Sequence, residues 1–230
     1  MSNAYYTLPT GRVACIDGNC DFPPLNEALI EPNGLIAIGG DLSPTRLLLA
    51  YKNGIFPWFS EGEPILWWSP NPRMVLLPEA LKISNSLKKT IKKQIFDIKF
   101  NTNFRAVMTA CSQTPREGQA GTWITDTMIE AYCELHKAGY AISAEAWQNG
   151  TLVGGCYGVK IDRMFYGESM FHHVTDASKV AFVHLVEYLR TLEVGLIDCQ
   201  MKTAHLASFG ANEIPREDFI HHLSRLTNRV

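Results

Sequence analysis

The chain has 230 residues, 46% hydrophobic and 19% charged, the balance of an ordinary globular protein with enough length for a sizeable core. Its formal net charge of -2 excludes a global nucleic-acid signature, so any contact with RNA has to come from a local patch. The six cysteines (15, 20, 111, 133, 156, 199) contain no C-x-x-C pair and no apolar run is long, which argues against a disulfide framework, a zinc site or a membrane span.

The opening MSNAYYTLPT lacks the basic and apolar regions of a signal peptide, so a soluble cytoplasmic protein is expected. The first 20 residues carry no readable element. Pro32-Asn33-Gly34 and Gly39-Gly40-Asp41 are turn signals around a short apolar strand, Leu35 to Ile38,. Ser43 then caps a helix with Pro44 at its first position, Leu47, Leu48, Ala50 and Tyr51 on its apolar side, and Asn53-Gly54 at its end,. Gly39-Gly40-Asp41 has neither G-x-G-x-x-G spacing nor a P-loop lysine, and it reads as a tight turn.

Next come Phe56-Pro57-Trp58-Phe59 and Trp67-Trp68-Ser69-Pro70-Asn71-Pro72-Arg73. Aromatic rings in Pro-rich loops suit either a rigid wall that stacks on a planar group or the packing of two layers. Arg73 suits either a phosphate or a carboxylate. From 82 to 105 seven Lys or Arg face one acid, Asp97, a segment of net +6 in a protein whose remainder is -8. Ser84 or Ser86 caps a helix there, and Lys88, Lys89, Lys92 and Lys93 fall on one side of it,. Such a run is either a solvated face or a phosphate-backbone contact.

Thr125 or Asp126 caps a helix closed by Gly139. Strands Tyr140 to Trp147, Thr151 to Val159 and Met164 to Phe171 follow, joined at Asn149-Gly150 and at Lys160 to Arg163. This is an antiparallel meander. Strict alternation puts Glu168 on the face of Tyr166 and Met170, and a carboxylate on such a face is either paired with a cation or raised in pKa. A long apolar helix, Ala177 to Glu193, leads through Gly195 into Leu196-Ile197-Asp198-Cys199-Gln200-Met201. In a regular strand Asp198 and Gln200 share one face, as residues i and i+2, with Ile197, Cys199 and Met201 on the other. They are either a structural pair or part of a reaction centre. A turn at Ser208-Phe209-Gly210 and a last helix, Arg216 to Leu226, complete an α+β order of acyltransferase type.

Several stretches resemble one family. W-F-S-x-G-x-P-I-L-W-W-S-P-x-P-R, E-P-N-G-L-x-A-x-G-G-D-L-S-P, G-E-S-M-F, and L-I-D-C-Q followed by G-A-x-E-I-P-R are similar to motifs of the leucyl/phenylalanyl-tRNA–protein transferases, over about Phe22 to Phe219. E-G-x-x-G-T-W-I-T is a looser match, because residues 117–122 depart from the shorter spacing of that family. The resemblance implies a small N-terminal α+β domain (1–71), then a domain similar to the GNAT acetyltransferases (72–230), with a mostly antiparallel sheet flanked by helices. It implies transfer of Leu or Phe, and Met less well, from aminoacyl-tRNA to the α-amino group of proteins beginning with Arg or Lys, which tags them for N-degron-dependent degradation. No metal, no organic cofactor and a monomer are expected. Residue by residue it gives Asp198 as the catalytic acid with Gln200 as its partner, Glu168 in the aminoacyl site, and Phe165 and Met170 lining a hydrophobic pocket. Trp58 and Trp123 would stand near the aminoacyl-adenosine end, and Lys88, Lys89, Lys92 and Lys93 would contact tRNA. Two rival readings are an acetyl-CoA-dependent N-acetyltransferase and a non-catalytic tRNA-binding protein. The turn His172-His173-Val174-Thr175-Asp176 has no glycine for a pyrophosphate, which counts against the first.

Overall fold

The computed structural model describes residues 4–18, 21–114 and 123–227; Cys20 and the 117–122 segment lie outside them. Five strands form the first sheet: β1 (Ala4–Leu8), β2 (Gly11–Ile16), β3 (Leu35–Gly39), β4 (Phe56–Pro57) and β5 (Leu66–Trp68), in the order β1-β2-β3-β5-β4. The hairpin β1–β2 falls where the sequence showed no element. Its edge strand is exposed along nearly its whole length, so the two-residue alternation that marks a half-buried strand is missing. Helix α1 (Pro44–Lys52) follows the expected cap, with the Ser43 side chain accepting the Arg46 N–H and Leu47, Ala50 and Tyr51 buried.

The chain then enters a larger sheet built from β6 (Arg73–Leu76), β7 (Asp97–Phe100), β8 (Ala141–Gln148), β9 (Thr151–Ile161), β10 (Met164–His172), β11 (Leu196–Gln200) and β12 (Asn212–Ile214). Its order is β12-β6-β11-β10-β9-β8-β7. All pairings are antiparallel except β10 with β11, which matches the α+β order read from the elements and the mostly antiparallel sheet that the resemblance implied. The expected meander is β8–β9–β10, with Asn149 and Gly150 both at positive φ in its first turn, the backbone that a two-residue hairpin turn requires.

Helices α2 (Asn85–Lys92), α3 (Phe104–Ser112), α4 (Asp126–Lys137), α5 (Ala177–Thr191), α6 (Ala204–Ser208) and α7 (Arg216–Leu226) complete the fold. Helices α3 and α4 pack against β8 to β10, as does α5. Leu47, Tyr51, Phe56 and Trp67 from the first part of the chain join Phe104, Tyr132, Tyr166 and Phe219 in one core. A second core gathers α5 with Met74, Phe165, Ile197 and Cys199. Among the described residues no helix is long and apolar enough to cross a membrane.

Regular alternation fails at two neighbouring places. The β10–β9 register shifts between Gly167 and Ser169, and the β11–β6 register shifts between Asp198 and Gln200. An extra residue in one strand switches the side chains beyond it to the opposite face. Tyr166 and Phe171 accordingly share the first core, and Phe165 packs in the second with Met170 against it. Glu168 therefore does not share a face with Met170, as strict alternation required. Nor do Asp198 and Gln200 project together, because the register shifts between them and Gln200, the last residue of β11, takes φ +61. Beyond Tyr166 and Asp198, the last parallel pair of β10 and β11, a cavity opens.

Candidate active site

Behind the cavity lies a buried ion pair. Arg73, the first residue of β6, and Asp198 are both fully buried. Nε and Nη2 of Arg73 donate to Oδ1 and Oδ2 of Asp198 at 2.8 and 2.7 Å, and Nη1 donates to the Gly54 carbonyl at 3.0 Å. The guanidinium lies over the rings of Phe56 and Phe219, 4.9 and 4.5 Å from their centroids. A two-pronged fork, a carbonyl and aromatic faces supply what a desolvated guanidinium needs. Of the two partners open to Arg73 in the sequence, the carboxylate is the one it takes. Asp198 Oδ1 also accepts the backbone N–H of Gln200 at 2.8 Å, so Asp198 meets Gln200 through the main chain.

Glu168 stands at the bulge in β10 and is 9% exposed. Tyr51 from α1 donates to its Oε1 at 2.6 Å, Gln200 Nε2 donates to the same oxygen at 3.2 Å, and Tyr132 from α4 donates to Oε2 at 3.3 Å. The Tyr51 and Tyr132 hydroxyls also bond each other. Burial pushes the Glu168 carboxyl up to about 7, and the negative Asp198 adds to the rise, while the three donors pull the other way. Burial likewise raises both tyrosines, with the charge of Glu168 next in importance. The raised carboxyl, and not a cation pair, is thus the state of Glu168.

The cavity holds about 400 Å³. Phe165, Met170, Phe182, Leu185, Ile197 and Cys199 make its apolar part, Phe56, Trp58 and Trp123 form an aromatic side with Pro57 between them, and Glu168 and Gln200 supply polar groups. Gly158 supports Phe165 from behind: a Cβ there would stand 2.5 Å from the ring and 2.2 Å from the Tyr166 carbonyl. The cavity thus brings together Gln200, Glu168, Phe165, Met170, Trp58 and Trp123, all singled out in the sequence. Asp198 sits behind this wall, not in it. Lys88, Lys89, Lys92 and Lys93 are exposed on and just after α2. That helix is tied to the start of α5 where Thr90 Oγ1 donates to Asp176 Oδ2 at 3.1 Å. Tyr51 and Tyr132 had no assigned role in the sequence; the signal was a tyrosine on an otherwise aliphatic helix face, whose hydroxyl needs a partner once buried.

An apolar cavity beside a carboxyl that titrates near neutrality and a fixed amide suits a reaction joining a hydrophobic acyl group to a polar nucleophile. The fold and the site together define an α+β protein of the group-transfer kind. The family model described as leucyl/phenylalanyl-tRNA protein transferase matches residues 75–224, and the model for the N-terminal domain of the same proteins matches residues 40–71. A leucyl/phenylalanyl-tRNA–protein transferase of Nitrosospira multiformis is 59% identical over 207 residues, covering 90% of this chain and 89% of its own. One from Nitrosomonas europaea is 62% identical over 205 residues, covering 89% and 86%. The chain belongs to the leucyl/phenylalanyl-tRNA–protein transferase family. Solved structures that align in part are the C-terminal domain of a putative lysylphosphatidylglycerol synthetase from Agrobacterium fabrum and a GCN5-related N-acetyltransferase from Kribbella flavida. The first has a TM-score of 0.41 at 13% identity, over 78% of this chain and 65% of its own. The second has 0.38 at 10%, over 77% and 63%.

Proposed function

We propose that the protein transfers Leu or Phe, and Met less well, from aminoacyl-tRNA to the α-amino group of proteins beginning with Arg or Lys, which marks them for N-degron-dependent degradation. It acts in the cytoplasm as a monomer and without a cofactor. The observation that carries this reading is the meeting of an apolar cavity with Glu168 and Gln200 at one point of its wall. The aminoacyl side chain occupies the apolar end, against Phe165 and Met170, and the terminal adenosine lies along Trp58 and Trp123. The neutral acceptor amine attacks the ester carbonyl, the new C–N bond forms, the bond to the tRNA 3′ oxygen breaks, and one amine proton ends on that oxygen as its hydroxyl. The ester carries the thermodynamic drive, so positioning and modest proton transfer suffice. Because Gln200 Nε2 is engaged by Glu168, its amide oxygen is the end available to the incoming amine. Asp198 holds Gln200 in place from behind. The test is direct: incubate the protein with labelled Phe-tRNA and a peptide beginning with Arg, and look for Phe at the peptide's N-terminus. Peptide that stays unlabelled refutes the reading.

Selectivity comes from shape, since a hydrophobic pocket separates side chains by about 1–3 kcal/mol per methylene. Met170→Ala is expected to admit β-branched donors and lower the preference for Leu over Val by about tenfold or more. Competition between Leu-tRNA and Val-tRNA checks this, and an unchanged ratio would discard the assignment of Met170.

Lys88, Lys89, Lys92 and Lys93 form the tRNA-backbone contact in this reading, supported by their exposure and by the tie between α2 and α5, which also lines the cavity. Replacing all four by Ala is expected to weaken binding of every tRNA alike. The slope of log affinity against log salt should flatten by about 0.7–0.9 for each phosphate that is no longer neutralised. A slope equal to the parent's would remove the patch from the interface.

A further inference from the structure

We infer that Arg73 is a positioning residue of the transfer site: it touches no substrate, and its guanidinium sets where Gln200 and Glu168 stand. The inference rests on the reading of Gln200 and Glu168 as the transfer centre. Its basis is a closed ring of contacts. From Arg73, Nε and Nη2 grip both oxygens of Asp198, and Asp198 Oδ1 takes the Gln200 N–H at 2.8 Å. Gln200 Nε2 then reaches Glu168 Oε1 at 3.2 Å. The other arm starts at Nη1, which holds the Gly54 carbonyl at 3.0 Å, and the Gly54 N–H bonds the Tyr51 carbonyl at 3.0 Å. Tyr51 donates to that same Glu168 Oε1 at 2.6 Å. Both arms leave one guanidinium and converge on one oxygen.

Each arm needs its anchor. Gln200 has φ +61, a left-handed conformation that is unfavourable outside glycine and persists only where the surroundings hold it. The bond holding it is the Gln200 N–H to Asp198, and Asp198 in turn is oriented by the fork. Phe56 and Phe219 fix the guanidinium plane. Lysine, a compact charge without a planar fork, cannot serve these three acceptors in the same geometry. Arg73 is fully buried and is absent from the cavity wall, so its influence passes through other residues.

The test measures steady-state transfer for Arg73→Lys and for the double variant Arg73→Met with Asp198→Leu. Replacing a buried ion pair by apolar side chains commonly preserves stability, so the double variant keeps the question open should the lysine variant fail to fold. We expect kcat to fall about a hundredfold in both, the effect of a displacement near 1 Å at a reacting centre. KM for the acceptor peptide should stay within about threefold, the pattern expected when an interaction made only in the transition state is removed. Parent-like kcat in either folded variant overturns the inference, and so does a loss that appears only as raised KM. Gln200→Ala is measured beside them. If it transfers at the parent's rate, the reading of the transfer centre has failed. If it is slow while the Arg73 variants are fast, only the role of Arg73 has failed.

Discussion

Arg73→Met alone is expected to lower the unfolding free energy by about 3–5 kcal/mol, because it strands a buried carboxylate. Asp198 is fully buried, and its other hydrogen bond is the Gln200 N–H. The same change removes the donor to the Gly54 carbonyl and the cation between Phe56 and Phe219, so the cost falls on the junction of α1, β6 and α7. In a chain of this size each kcal/mol lowers Tm by about 2–4 °C, and thermal melting should therefore show a drop of about 10 °C. Adding Asp198→Leu removes the stranded charge and is expected to bring stability back to within about 1–2 kcal/mol of the parent. A single variant that melts with the parent would mean that Asp198 finds another partner, and the buried pair would not be the anchor described above.

Glu168→Gln is expected to change how stability depends on pH. The folded carboxyl titrates near 7, against 4.5 for an ordinary glutamate. Between those values the folded protein holds a proton that the unfolded chain releases, so stability falls as pH rises through the interval. The contribution is fully present below about pH 4.5 and gone above about pH 7. The shift corresponds to roughly 3 kcal/mol. Glutamine has no such titration, so the difference in unfolding free energy between parent and variant should change by about that amount from pH 4.5 to 7.5, in favour of the variant at the alkaline end. Urea unfolding at several pH values measures it. Two curves that run parallel across the interval would show that Glu168 titrates as an ordinary carboxyl.

Both effects depend on contacts between distant parts of the chain, and they mark where the sequence stopped being legible. Helices α1, α2 and α4 could be read because Ser43, Ser84 and Thr125 cap them through bonds to a residue three positions on. The β8–β9 hairpin announced itself through Asn149-Gly150, whose backbone preference is intrinsic. The β1–β2 hairpin could not be seen, because an exposed edge strand carries no burial pattern. Arg73 had two equally good partners in the sequence. Only folding brings it to a carboxylate 125 positions away.

The six residues from Leu196 to Met201 show the division most clearly. Residue order alone told that a short apolar strand carries Asp198 and Gln200, that a carboxyl at 168 lies on a second strand, and that the surrounding motifs resemble those of one family. These are local matters of composition, periodicity and spacing. Folding turned Asp198 to Arg73 and Gln200 to the cavity, and it supplied the bulge by which Phe165 and Met170, paired by the resemblance but parted by strict alternation, meet on one wall. The reason is that a bulge is a relation between two strands. It exists in the register of β10 against β9 and of β11 against β6, and neither strand states its partner's register in its own residues.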